Sequence, residues 1–382
     1  MPPKTDPFFN LKYGLIKINT MKILVFLSHP AQYLFYKNII IKLKQHGHTV
    51  FVLIKTKDVL AELLAKDDCA YYNILPKERG QSKFHILFSM FQRDVKLFNF
   101  VRKNKVSLML GTDASVAQIA KLMGIPSITT LEDDYSVIKS LAQLTYPFSS
   151  VILVPNVCDV GKWTKKKIGY DGYMKLAYLR PNWFTPDIKK VKLDHSKPYF
   201  LIRLSGLKAH HDFGIKGISD PLLDEIINRL KKFGDVYISA ENEMPASYAK
   251  YILNIPVSDI HHYLYYANML ICDSQSMAVE ASILGTPSIR ISSFSGKISV
   301  LEELEHKYQL TYGVHPDNEN LILQKLNSLL AEKNIKEIFL SRRDKMLNDK
   351  IDVTEFMVWF IENYPASAEI MKANPDYQQR FR

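Results

Sequence analysis

Residues 273 to 290 read DSQSMAVEASILGTPSIR, and the strand, turn, helix and strand they spell set the architecture of the whole chain. A short apolar strand, Met269–Cys272, leads in. Ser274, Gln275 and Ser276 open a helix, Gly285-Thr286-Pro287 stops it, and Ser288–Ser292 enters a second strand. Two apolar strands joined by a helix make a parallel βαβ unit. In open α/β sheets, ligands gather where a strand ends and the next helix begins. The first turn of a helix has free N–H groups and the positive end of the macrodipole, so it favours phosphate. Ser274–Ser276 can cap the helix and still leave room for an anion. Glu280 falls about one turn further on, on the side of Ser276. A carboxylate there is badly placed for phosphate and well placed to accept hydroxyl protons from a ribose. That is the layout a sugar nucleotide needs. The plain alternative is an ordinary capped helix with a solvated Glu280.

The chain has 382 residues, enough for two α/β domains. Hydrophobic residues make up 47%, so a full core is available. Formal net charge is +11, which suits nucleic acid, an anionic membrane face or a phosphorylated substrate. The lysines are spread out, with small clusters such as Lys165-Lys166-Lys167, and no Arg-rich arm stands out, so nucleic acid ranks low. Three cysteines, Cys69, Cys158 and Cys272, lack metal-ligand spacing and fit a reducing compartment. No apolar run reaches the roughly 20 residues that span a bilayer. Residues 1–20 read as an extension without the pattern of a signal peptide. The expected compartment is the cytoplasm, with basic clusters able to rest peripherally on an anionic inner membrane.

Residues 21–180 read as a first domain. Lys22–Leu27 is a continuous apolar run, typical of a central parallel strand, and ends in Ser28-His29-Pro30-Ala31-Gln32. A helix to Gln45 and a strand over 48–55 complete one βαβ unit. Its turn is not glycine-rich, so the dinucleotide fingerprint is absent and a dehydrogenase is disfavoured. His29 is a candidate base or a helix-entry residue. Val106–Leu110 ends at Asp113, which is a helix N-cap or a functional carboxylate. The strand Pro126–Thr130 ends in Glu132-Asp133-Asp134. Three crowded carboxylates call for water, a cation or a hydroxylated ligand, and their repulsion can raise one pKa toward that of a general base. Residues 161–198 are irregular, with Lys175–Tyr178 as a last short strand and a linker over 181–198.

Residues 199–350 restart the pattern as a second domain. Tyr199–Leu204 is followed by Ser205-Gly206-Leu207-Lys208-Ala209-His210-His211-Asp212, a loop suited to phosphate, with charge from Arg203 and Lys208. His210, His211 and Asp212 have no further ligand group at zinc spacing, so no metal is expected. Residues 351–382 form an apolar helix and tail that must dock, on the first domain or on a membrane surface.

An Asp-Ser turn at Asp273-Ser274, a helix with an inward Glu280, and Leu284-Gly285-Thr286-Pro287 carry a resemblance to the GT-B superfamily. These are glycosyltransferases and UDP-GlcNAc 2-epimerases with two facing Rossmann-like domains. The resemblance implies an α/β fold whose two parallel sheets face a central cleft. It also implies diphosphate binding at Ser274–Ser276 and ribose binding at Glu280. A closer resemblance is to the prokaryotic domain of unknown function 354. HPAQ at His29–Gln32, GIPSITTLEDD at Gly124–Asp134, RLSGLKAHHDFGIKG at Arg203–Gly217 and the stretch from Asp273 carry it. The epimerases share an Asp after a strand, here Asp113, and carboxylates near Glu132–Asp134. Their His-Arg-rich motif with Glu-Asn is replaced here by Ala209-His210-His211-Asp212, which counts against epimerisation.

These readings set the expectation of a metal-independent glycosyltransferase with no cofactor, which moves a sugar from a nucleotide-sugar donor, a UDP-sugar, to a saccharide or lipid-linked acceptor in surface polysaccharide or glycolipid synthesis. Arg203, Gly206, His211, Asp212, Ser274, Gln275, Ser276 and Glu280 would bind the donor. His29, Asp113, Glu132, Asp133 and His210 are the catalytic candidates. The alternatives are a UDP-sugar 2-epimerase and a non-catalytic sugar-nucleotide-binding protein.

Overall fold

Lys22–Leu27 forms β1, buried from Ile23 onward, as its apolar run requires. The computed structural model describes residues 20–55, 58–75, 83–205 and 217–382. β1 pairs in parallel with β2 (Thr49–Lys55) on one side and β4 (Leu108–Gly111) on the other. With β3 (Tyr72–Leu75), β5 (Ser127–Thr130), β6 (Val151–Pro155) and β7 (Lys167–Tyr170) they make a sheet in the order β3-β2-β1-β4-β5-β6-β7. Helices α1 (Pro30–Gln45), α2 (Asp58–Lys66), α3 (Lys83–Asn104), α4 (Ala114–Leu122) and α5 (Lys139–Thr145) connect its first six strands. A one-turn helix, α6 (Leu176–Leu179), follows β7.

The second sheet runs β12-β11-β10-β8-β9, all parallel. Its strands are β8 (Tyr199–Leu204), β9 (Asp235–Ala240), β10 (Met269–Cys272), β11 (Ser288–Ile291) and β12 (Tyr312–Val314). Around it lie α7 (Asp220–Leu230), α8 (Ile260–Tyr266), α9 (Gln275–Leu284), α10 (Ser299–Glu302), α11 (Glu319–Leu330) and α12 (Ile335–Asp349). β10 is buried throughout, as a strand covered on both faces must be.

Each sheet has a switch point where successive connections leave in opposite directions, and such points make the crevices that ligands use. In the first sheet it lies between β1 and β4, where Gln32 Nε2 donates to Thr112 Oγ1. In the second it lies between β8 and β10, where the Asp273 carboxylate accepts the Ser205 N–H at 2.7 Å and its hydroxyl at 2.8 Å.

Three elements depart from the sequence reading. Lys175–Tyr178 is no strand: its residues enter α6, and Ala177 carries a helix-favouring side chain there. β7 holds Lys167 and Gly169, and β12 is three residues long with Gly313, so neither presents an apolar run.

The apolar tail docks on the first domain. α13 (Val353–Glu362) buries Phe356, Met357, Phe360 and Ile361, and α14 (Ala366–Ala373) follows it. Thr354 Oγ1 donates to Ala177 O at 2.8 Å, and Asn38 Nδ2 of α1 donates to the same oxygen at 2.9 Å. Lys42 pairs with Glu355, while His46 and His48 lie 2.7 and 3.1 Å from Glu362. Among the described residues, no helix is long and apolar enough to cross a membrane.

Candidate functional site

The crest of the second sheet brings two arginines into one row. Arg203 of β8 is in register with Cys272 of β10, and Cys272 with Arg290 of β11. Side chains in register share a face of the sheet. Arg203 donates to Ser239 Oγ at 2.8 Å and to Glu241 at 2.6 Å. Behind this row begins α9. Ser274 is its N-cap and accepts the Met277 N–H at 3.4 Å. Gly285, at φ 73°, ends it in the left-handed conformation that glycine adopts without strain. Gln275 spans the turn: its amide oxygen accepts from Arg290 Nη1 at 2.6 Å and its amide nitrogen donates to Ser292 Oγ at 2.6 Å. Ser274, Gln275 and Ser276 are all half-buried. Burial pushes the Asp273 carboxyl up, with the Ser205 bonds opposing.

Glu280 is buried rather than solvated. Tyr178 of α6 donates its hydroxyl to Glu280 at 2.8 Å, across the boundary between the domains. His261 Nε2 stands 3.4 Å from the other carboxylate oxygen, an electrostatic contact. Burial alone would raise the Glu280 pKa, but His261, the Tyr178 hydroxyl and Lys175 together hold it below the usual range. Glu280 is therefore an ionised carboxylate in a dry setting, and hydroxyl donors are the partners it accepts from.

The acidic run at the end of β5 meets the same boundary. Glu132 pairs with Lys175 and accepts the Met174 N–H at 2.8 Å. Burial pulls the Lys175 amine down to about 8, with Glu280 opposing. Asp134 accepts the Asp159 N–H at 2.7 Å and, from the second domain, the N–H and hydroxyl of Ser299 at 2.7 and 2.9 Å. Asp133 sits half-buried between them in sequence. The crowding expected from the sequence is thus relieved by partners from both domains. A buried carboxylate bonded to donors is cheap, whereas one facing its like is not.

At the first switch point, His29 caps α1 and its Nδ1 accepts the Ala31 N–H at 3.1 Å. Asp113 caps α4 through Ser115 and is met by Arg93 at 3.2 Å and Lys55 at 3.5 Å. Burial would raise its pKa, yet Arg93, Lys55 and the Ser115 bonds bring the carboxyl below its ordinary value. Such a group caps well and takes up a proton poorly at neutral pH.

The structure therefore gathers Glu132 and Glu280 at one boundary, Arg203 and Ser274–Ser276 at the second crest, and His29 with Asp113 at the first. Gly206, Lys208, His210, His211 and Asp212 lie outside the described residues. Sequence reasoning missed Lys175, Tyr178, His261 and Arg290. Arg290 had a signal, since it lies near the C-terminal end of the very strand that follows α9. Lys175 and Tyr178 had none, because their helix sits in a Gly- and Pro-rich segment. Among the described residues, no three His, Cys, Asp or Glu side chains converge as a metal site.

The chain is similar in fold to several solved enzymes. UDP-N-acetylglucosamine 2-epimerase from Rickettsia bellii is 15% identical, with a TM-score of 0.63 over 93% of this chain and 99% of that one. MnaA of S. aureus, solved with UDP, is 13% identical, with a TM-score of 0.64 over 91% and 98%. The glycosyltransferase SsfS6 of Streptomyces sp. SF2575, complexed with thymidine diphosphate, is 14% identical, with a TM-score of 0.54 over 88% and 99%. Structural likeness at so low an identity shows the GT-B-like fold alone and leaves the reaction to the site. Comparison with curated proteins finds no match. A family model does match, over residues 21–354, and by that match the chain belongs to the family described as Protein of unknown function (DUF354).

Proposed function

We propose that this protein is a glycosyltransferase that takes its sugar from a nucleotide-sugar donor and passes it to a saccharide or lipid-linked acceptor. The observation that carries the reading is the buried, ionised Glu280 one turn into α9, behind a polar first turn at the second switch point. The first turn and Arg203 would take the diphosphate, where helix dipole and guanidinium offset the charge that develops on the leaving group. Glu280 would accept the ribose hydroxyls. The Tyr178 hydroxyl stands where one of them would go. The acceptor hydroxyl would be deprotonated from the first domain, by Asp133 rather than by His29, whose lone-pair nitrogen is taken by the Ala31 N–H, or by Asp113, which Arg93 and Lys55 make a weak base. A base need only reach that hydroxyl at hydrogen-bond distance.

The test is a calorimetric titration with UDP. The wild type should bind, and Glu280→Ala should bind at least ~10-fold more weakly, the loss of a charge-assisted hydrogen-bond pair. Unchanged affinity would remove Glu280 from the site.

The 2-epimerase reading has its own support in the epimerases among the fold's neighbours. Incubation with UDP-GlcNAc in deuterated water separates the two. Deuterium at C2 of the sugar favours epimerisation, and donor hydrolysis or transfer without it favours the transferase.

A further inference from the structure

Arg290 is, among the described residues, the bulkiest side chain with no solvent exposure. It is the third residue of β11, and its Nη1 reaches Gln275 in the first turn of α9. Only Nη1 is satisfied, by Gln275 Oε1 at 2.6 Å. Nε and Nη2 have no hydrogen-bond partner among the described residues. Glu302 stands 3.9 Å from Nη2, too far for a hydrogen bond. Glu305 commits one oxygen to the Gly313 N–H at 2.8 Å. Burial pushes the Glu305 carboxyl up, which weakens it as a counter-charge.

A guanidinium has five N–H donors in a planar fork, and burying it with most of them idle is costly. The space around it is made for it. A Cβ on Gly313 would come within 2.6 Å of Nη2 and within 2.6 Å of Ser295 Oγ. The fork therefore lies between the Gly313 backbone, the Ser292–Ser295 loop and the α9 turn. Buried donors of this kind point to an anionic partner.

We propose that Arg290 and the first turn of α9 form a phosphoryl subsite, in which a diphosphate oxygen replaces the Gln275 amide oxygen on the guanidinium. The proposal rests on the nucleotide reading of the same site and names the residue that reads the diphosphate. The exchange is favourable in kind. An amide oxygen is a neutral acceptor, and a phosphoryl oxygen is charged and able to take two donors of the fork at once. The α9 turn adds its N–H groups and dipole on the same side. Gln275, half-buried and also tied to Ser292, then acts as the plug that keeps the fork occupied in the free protein.

The test titrates uridine, UDP and inorganic pyrophosphate into the wild type, Arg290→Met, Arg290→Lys and Gln275→Ala. Arg290→Met should weaken UDP and pyrophosphate at least tenfold and leave uridine within twofold, and Arg290→Lys should recover part of the loss. Gln275→Ala should bind UDP at least as tightly as the wild type. The proposal is overturned if Arg290→Met binds UDP normally, if it loses uridine equally, or if Gln275→Ala weakens UDP tenfold. Should Arg290→Met fail to fold by circular dichroism, Arg290→Lys and Gln275→Ala decide the matter by the same criteria. A wild type that binds pyrophosphate through Arg290 but no nucleotide keeps the subsite and ends the nucleotide reading. Nucleotide binding indifferent to Arg290 does the reverse, and a wild type that binds none of the three ends both.

Discussion

Lys336, on α12, donates to Tyr265 O at 2.5 Å and to Thr286 Oγ1 at 3.1 Å. Burial pulls its amine down to about 7, and the charge of Arg343 adds to the fall. An unfolded lysine titrates at about 10.4. Between those values the unfolded chain binds more protons than the folded one, so stability rises with pH. Lys336→Met has no such dependence. Calorimetric melting should therefore show the wild type gaining on Lys336→Met from pH 7 to pH 10, by at most about 1.4 kcal/mol per unit. A difference that stays flat would mean the amine is hydrated. The same reasoning separates the carboxylates of the site. Asp113 and Glu280 are both held ionised, but one faces cations that are its permanent partners and the other a hydroxyl that another hydroxyl can replace.

At the scale of elements, α13 shows what an apolar tail does once it has a floor. Phe356 is wholly buried, with ring contacts to Tyr170, Phe360 and Phe381 at 5.9, 5.9 and 5.7 Å. Phe356→Ala should cost about 3–5 kcal/mol, the usual range for a buried aromatic, read from urea unfolding. A cost below ~1 kcal/mol would place the helix outside the cooperative core. Elements of this kind were legible because burial on both faces leaves an apolar run in the sequence, as in Lys22–Leu27 and Met269–Cys272. The N-cap at Ser274 and the stop at Gly285 were legible because local backbone chemistry dictates them. α6 was not, since what fixes it is remote: Glu132 receives Met174 N and Lys175 from a strand end more than forty residues earlier. The same holds for the site. The sequence marks Ser274–Ser276 and Glu280, while Tyr178 and His261 are found only once the two domains are brought face to face.

At the scale of the molecule, the domains touch through polar contacts. Tyr178 meets Glu280, Ser299 meets Asp134, and Tyr173 donates to Glu303 at 2.5 Å. Buried polar contacts are costly to break unless something replaces them. If ribose hydroxyls replace the Tyr178 hydroxyl on Glu280, the two compete for one carboxylate. Tyr178→Phe should then bind UDP several-fold more tightly than the wild type in the same titration. Weaker binding would assign Tyr178 to holding the nucleotide rather than yielding to it.

The return of α13 to the first domain also bears on how the protein is made. Chains commonly fold domain by domain, the N-terminal one first, as they leave the ribosome. Here a ribosome that has reached Lys350 has synthesised every strand of the second sheet, yet α1 still lacks the helix that covers it. The first domain to emerge is thus the last to be finished. Until α13 has emerged, its apolar flank around Ala177 and α1 stays open to chaperones, and a premature stop before Val353 would leave a protein with every strand of the second sheet and an unsealed first domain.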